Sequence, residues 1–217
     1  MNNDDHRLEL IAVGKELFSR GLQTTRSGNL SVRDGERFLI TQTGANLGYL
    51  SDSNFLTVGL ADHLPIPAEA SCETPLHRAI YNATDALAIV HAHPIHAIAL
   101  AQLSSDDRIL PIHNEGLAGL KCIPIVDTTV PGKDTGEEPG AIAAALTQSC
   151  AVVVRGHGAF SIGNSLDQAC YKMMLLEDSC RINLLVLNHS RTAAAPKVLT
   201  VSKSPRRTGP RRFAGSD

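Results

Sequence analysis

Residues 86–103 read ALAIVHAHPIHAIALAQL. A short apolar run closed by a proline predicts a buried strand over 86–93. Pro94, whose backbone torsion is already set for a first helical turn, predicts a helix over 94–103. Strand side chains alternate between faces, so His91 and His93 share one face at the end where the sheet opens into a loop. Paired imidazoles in that position serve as divalent-metal ligands. They also occur as packed core residues, and an H-x-H pattern alone does not decide between the two. His96 lies beyond the proline and reads as a helix-face or outer residue.

A catalytic zinc site wants a third protein ligand and an open position. His157 is the best candidate. It ends a second apolar strand, CAVVVRGHG over 150–158, and Gly156 and Gly158 let the backbone approach closely. His6, His63 and His189 lie in polar segments; His77 sits on a helix after Glu73, and His113 sits in a loop that is kept as a candidate site lining. By position alone, Glu73 reads as a charge that complements the N-terminus of the helix after it.

The remaining pattern mixes helices and strands. Residues 5–20 place Leu8, Ile11, Ala12, Leu17 and Phe18 at roughly helical spacing, with Gly21 as the stop. Residues 29–44 flank an Asp34-Gly35 turn, a hairpin signal. Residues 74–82 predict a helix with Thr74 as cap and Pro75 at its first position. A strand and turn follow over 122–132 and a helix over 139–149. A long helix over 165–190 carries the apolar stripe Leu166, Ala169, Met173, Leu176, Cys180 and Leu184. Such an order predicts a three-layer α/β/α sandwich around a central mixed, mostly antiparallel sheet.

At 217 residues and 43% apolar, the chain suits one domain with a substantial core, over 1–191. Residues 192–217 read as a basic, flexible C-terminal tail. A net charge of −2 and 4% aromatic content give no drive toward nucleic acid or a membrane surface. Five scattered cysteines without a CxxC argue against a disulfide framework, and no signal or membrane span is evident, so a soluble cytoplasmic protein is expected.

Four segments carry a resemblance. SGNLSVRDG (27–35), ITQTGANLG (40–48), ASCETPLHRAIY (70–81) with VHAHPIHAIAL (90–100), and RGHGAFSIGNSLDQA (155–169) together resemble the class II aldolase/adducin family, over about residues 7–190. In order and spacing they are similar to its metal-dependent sugar-phosphate enzymes, such as L-fuculose-phosphate aldolase and L-ribulose-5-phosphate 4-epimerase. The resemblance implies that His91, His93 and His157 bind Zn²⁺, one ion per subunit, and that Glu73 is the catalytic carboxylate and an additional metal ligand when substrate is absent. Mn²⁺, Co²⁺ or Fe²⁺ suits the same donors. It further implies a phosphate cradle from Gly28, Asn29, Thr43, Gly44, Ser71 and Cys72, the last standing where the aldolases have serine. Arg26 and Arg33 are placed to add charge.

The implied reaction is cleavage of a ketose 1-phosphate to dihydroxyacetone phosphate and a short aldehyde through a metal-stabilised enediolate. Active sites between subunits of a homotetramer are implied as well. Two departures are visible: the basic tail offers Phe213 rather than a C-terminal tyrosine, and LPIHNEGLAG (110–119) lacks the tyrosine that the aldolases use there, leaving His113, Asn114 or Glu115 as substitutes. The missing tyrosine keeps open 4-epimerisation, decarboxylation of a 3-oxo-acid phosphate, and dehydration. A non-catalytic adducin-like module and a metal hydrolase are the rivals from other classes.

Overall fold

The computed structural model describes residues 3–127 and 139–192. In chain order these form α1 (Asn3–Ser19), β1 (Asn29–Asp34), β2 (Arg37–Thr41), β3 (Phe55–Gly59), α2 (Thr74–Ala83), β4 (Ala88–Ala92) and α3 (Ile95–Leu103). Then follow β5 (Arg108–Ile109), α4 (Asn114–Gly119), β6 (Ile123–Val126), α5 (Pro139–Leu146), β7 (Ala151–Val154), β8 (Gly158–Gly163) and α6 (Leu166–Thr192). The strands make one sheet in the order β3-β2-β1-β4-β8-β7-β6-β5. Its pairs are antiparallel except β6 with β7. This is the sandwich expected from the sequence, with β4 near the centre and buried along its whole length.

Alternation along the strands divides the core in two. Leu30, Val32, Ala88, Val90 and Ala92 face a cluster built with α1, α3 and α6. Phe38, Ile40, Ile89, Val152 and Phe160 face the other way, onto α2 and α5. The predicted stripe of α6 holds: Leu166, Ala169, Met173, Leu176 and Cys180 are buried, and Leu184 packs against them.

Several expectations need correction. The buried row of α1 is Leu10, Gly14 and Leu17, whereas Leu8 is 66% exposed. A side chain at Gly14 would put its Cβ 2.4 Å from the Leu47 carbonyl oxygen. This face is therefore made by the absence of a side chain, which an apolar-periodicity argument does not register. The cap of α2 is Glu73, not Thr74; the Thr74 hydroxyl instead donates to the Ser71 carbonyl at 2.6 Å. The strand read over 150–158 ends at Val154, and the chain turns through 155–157 into β8, which pairs on both sides. Thr192, where the proposed tail begins, still belongs to α6, and the rest of the tail lies outside the described residues. Among those described, no helix is long and apolar enough to cross a membrane.

Candidate metal centre

Register across three strands places Asn29, His91 and Phe160 side by side on the α2 face of the sheet. Phe160 stacks on His91 at 4.1 Å between ring centroids and 18° between planes. The Nδ1–H of His91 donates to the Ala159 carbonyl at 3.0 Å, which leaves the Nε2 lone pair free to ligate. His93, two residues on, brings its Nε2 to 3.1 Å from that of His91. His157 arrives from the turn between β7 and β8, its ring 5.0 Å from His91 and 5.1 Å from His93. The three ligand atoms all lie within 4.8 Å of one another.

Glu73 closes the fourth side. Its Oε2 is 3.3 Å from His91 Nε2 and its Oε1 is 3.4 Å from His157 Nε2. Four donors about 2.0–2.1 Å from a tetrahedral ion stand about 3.3 Å apart, so these separations fit a zinc-sized divalent cation. Gly158 is required by this crowding. A Cβ there would fall 2.5 Å from the Ala92 carbonyl oxygen and 2.8 Å from His93 Cδ2. The glycine-flanked histidine of the sequence thus meets the paired histidines as expected. His96 does not join them; its Nδ1 lies 2.6 Å from Glu177 on α6.

Burial first, then the neighbouring His157 and His93, holds the His91 pKa well below the ordinary imidazole value. A neutral ring is what a cation needs. His77, fully buried one turn beyond Glu73, is lowered by burial to about 3. The consequence for stability has a definite sign. The folded chain holds His77 neutral while the unfolded chain protonates it below about pH 6.5. Its contribution is therefore full above that pH and is lost as pH falls toward the folded value, with a slope approaching about 1.4 kcal/mol per pH unit. Urea denaturation of the metal-free protein at about pH 7 and about pH 5 is expected to show a shallower pH dependence for His77→Asn than for the parent. Parallel curves would mean that His77 titrates alike in both states.

The residues expected to cradle phosphate gather from separate segments. A bridge between Gln42 and Ala70, with the Thr43 N–H donating to the Glu69 carbonyl at 2.9 Å, brings 41–44 beside 69–71. Gly44 has φ +67°, and Gly28 has φ +76°. A Cβ on Gly28 would fall 2.6 Å from the His91 carbonyl oxygen. The Ser71 hydroxyl accepts from the Glu73 N–H at 3.3 Å, and Cys72 is exposed. Asn29 is turned toward Glu73, its Nδ2 donating to Oε2. Arg33 is not in the cradle: its guanidinium bonds the Gly35 and Tyr81 carbonyls.

Other residues here escaped sequence reasoning. Gln23 is buried beside Gly28, and neither atom of its amide has a protein partner. Glu177 caps α3, accepting from His96 N at 3.1 Å and Ala97 N at 3.0 Å. No local signal marks either, because each depends on contacts distant in sequence. His113 serves as a cap, its Nε2 accepting from Gly116 N, while Glu115 accepts from the Tyr171 hydroxyl.

Three imidazoles and a carboxylate, with glycine turns beside them at the end of a mixed sheet, make a site suited to one divalent cation. The sequence matches the family described as Class II Aldolase and Adducin N-terminal domain over residues 8–184, and the chain belongs to that family. A Nocardia farcinica protein, named a probable bifunctional methylthioribose-1-phosphate isomerase/methylthioribulose-1-phosphate dehydratase, is 32% identical over 90% of this chain, which spans only 38% of that longer protein. An L-fuculose phosphate aldolase of Methanocaldococcus jannaschii is 27% identical over 82% of this chain and 96% of its own. The crystal structure of L-fuculose-1-phosphate aldolase from Thermus thermophilus superposes with a TM-score of 0.81 at 35% identity, covering 88% of this chain and 98% of that one.

Proposed function

We propose that the protein is a zinc-dependent aldolase that reversibly cleaves a ketose 1-phosphate to dihydroxyacetone phosphate and a short aldehyde. The observation that carries this reading is the convergence of His91, His93, His157 and Glu73 at separations suited to one ion. A divalent cation held there supplies Lewis-acid stabilisation of the negative charge that develops on substrate oxygens. The carboxyl group of Glu73 gives a proton to the carbon that has lost the aldehyde, and its carboxylate takes that proton back in the condensation direction. Asn29 orients this carboxylate through its Nδ2–H. Gly28, Thr43, Gly44, Ser71 and Cys72 hold the phosphate with N–H and side-chain donors. An open position for them is consistent with the exposure of Thr43, Gly44 and Cys72. The family's tetramer, with a site at each subunit boundary, belongs to the same proposal, as does a cytoplasmic setting.

A second reading is dehydration of a ketose 1-phosphate by the same residues. It is favoured by the segment 110–119, which has no tyrosine. In this subunit His113 and Glu115 are engaged with Gly116 and Tyr171. Dehydration removes the proton next to the carbonyl to give the enediolate and then expels the hydroxyl of the neighbouring carbon, which takes up a proton and leaves as water; no C–C bond breaks and no aldehyde forms.

The deciding experiment incubates metal-quantified protein with dihydroxyacetone phosphate in deuterated water, without aldehyde, and follows C–H exchange by NMR. Exchange that stops with a chelator is expected. No exchange by zinc-loaded protein would overturn the aldolase reading in favour of the dehydratase. Protein that takes up no metal would point to a scaffold.

A further inference from the structure

We propose that three polar rungs between β1 and α2 form a register lock that sets Glu73 over the metal centre, with Ser31, His77 and Tyr81 as its positioning residues. The inference rests on the metal reading above. Asn29, Ser31 and Arg33 alternate with the core residues Leu30 and Val32, so all three point to the α2 side of the sheet. Glu73, His77 and Tyr81 are spaced by four and share one helix face. Each strand residue meets its counterpart. Asn29 Nδ2 donates to Glu73. Ser31 Oγ lies 2.7 Å from His77 Nδ1 and 2.8 Å from the Tyr81 hydroxyl. Arg33 Nη1 donates to the Tyr81 carbonyl at 3.2 Å.

The two repeats are commensurate. Two strand residues advance about 6.6 Å and four helical residues about 6.0 Å, so the rungs stay in step over the length of α2. Sliding α2 along β1 by about half a turn would put the rungs out of step together and leave buried polar atoms unpaired. Ser31, His77 and Tyr81 are each at most 1% exposed, and an unpaired polar group at that depth is costly. Charge reinforces the order: the carboxylate of Glu73 stands at the positive end of α2 and the guanidinium of Arg33 at the negative end. Phe160 ties the lock to the centre a second way. It meets the edge of His77 at 6.1 Å and stacks on His91 at 4.1 Å.

A lock of this kind acts on the ion through Glu73, whereas a general contribution to packing does not. Co²⁺ titration of the full chain, followed by its visible absorption, separates the two. Ser31→Ala and Tyr81→Phe are expected to weaken Co²⁺ binding by about tenfold, the scale of an outer partner of a metal ligand, and to change the band shape. In a Glu73→Gln background, Ser31→Ala is expected to change nothing further. Thermal melts monitor the fold, and Tyr81→Phe, which removes one hydroxyl, carries the test if Ser31→Ala does not fold. Unchanged Co²⁺ binding in folded variants, or an equal loss with and without Glu73, would overturn the lock alone. A parent chain that binds no Co²⁺ would overturn the metal reading and the lock with it.

Discussion

His93→Ala is expected to lose bound metal and activity together while keeping the fold. His93 is half-buried at the mouth of the site, so its removal opens little cavity. Its backbone N–H still donates to the Leu22 carbonyl at 2.9 Å, which holds the end of β4 in place. What disappears is one of three converging nitrogens. Mutating the outer partners of metal ligands commonly weakens affinity by about 10–100-fold, so loss of a ligand itself should cost at least about 100-fold. Metal analysis of purified protein, beside circular dichroism, measures this. Full metal content in the variant would remove His93 from the site.

Glu73→Gln should behave differently. The amide is nearly the same shape and leaves the three histidines in place, so metal is retained at lower affinity and the fold survives. Proton transfer is lost, because an amide neither takes nor gives a proton at working pH. General acid–base catalysis contributes about 10²–10⁴-fold, and a fall of that size in turnover, or in deuterium exchange into dihydroxyacetone phosphate, is expected. Near-parental rates with bound metal would refute the acid–base role of Glu73. The pair of variants distinguishes holding the ion from moving the proton: the first loses both, the second only one.

How much of this was legible in the sequence depended on the range of the contacts involved. The paired histidines were visible because strand alternation is a local rule, and the Pro94 boundary of α3 is equally local. His157 was visible because glycine flanks an apolar run, and Gly158 does lie where no Cβ fits. The position of Glu73 was legible, but its place at the cluster was not. A carboxylate at a helix start satisfies the macrodipole whether or not it faces a site, and only family resemblance pointed further. Residues such as Ser31 and Tyr81 were opaque, since the bond that gives them meaning spans 50 positions. β8 was missed because GAFSIG opens and closes on glycine and shows no apolar alternation. Its strand character comes from pairing with β4 and β7.

The candidate donors come from distant stretches of chain: one from the approach to α2, one from β4, one just beyond the end of β4, and one from the turn before β8. They become neighbours only after β4 has paired with β8, a closure across 68 positions between His91 and Ala159. The unfolded polypeptide therefore holds no preformed site, and such non-local closures are slow steps in folding. On the proposed reading, occupancy by an ion would be a chemical record that the central sheet has finished assembling. A newly made chain would then acquire its proposed reactivity at the end of folding, and partly folded copies would carry no exposed, misdirected Lewis acid.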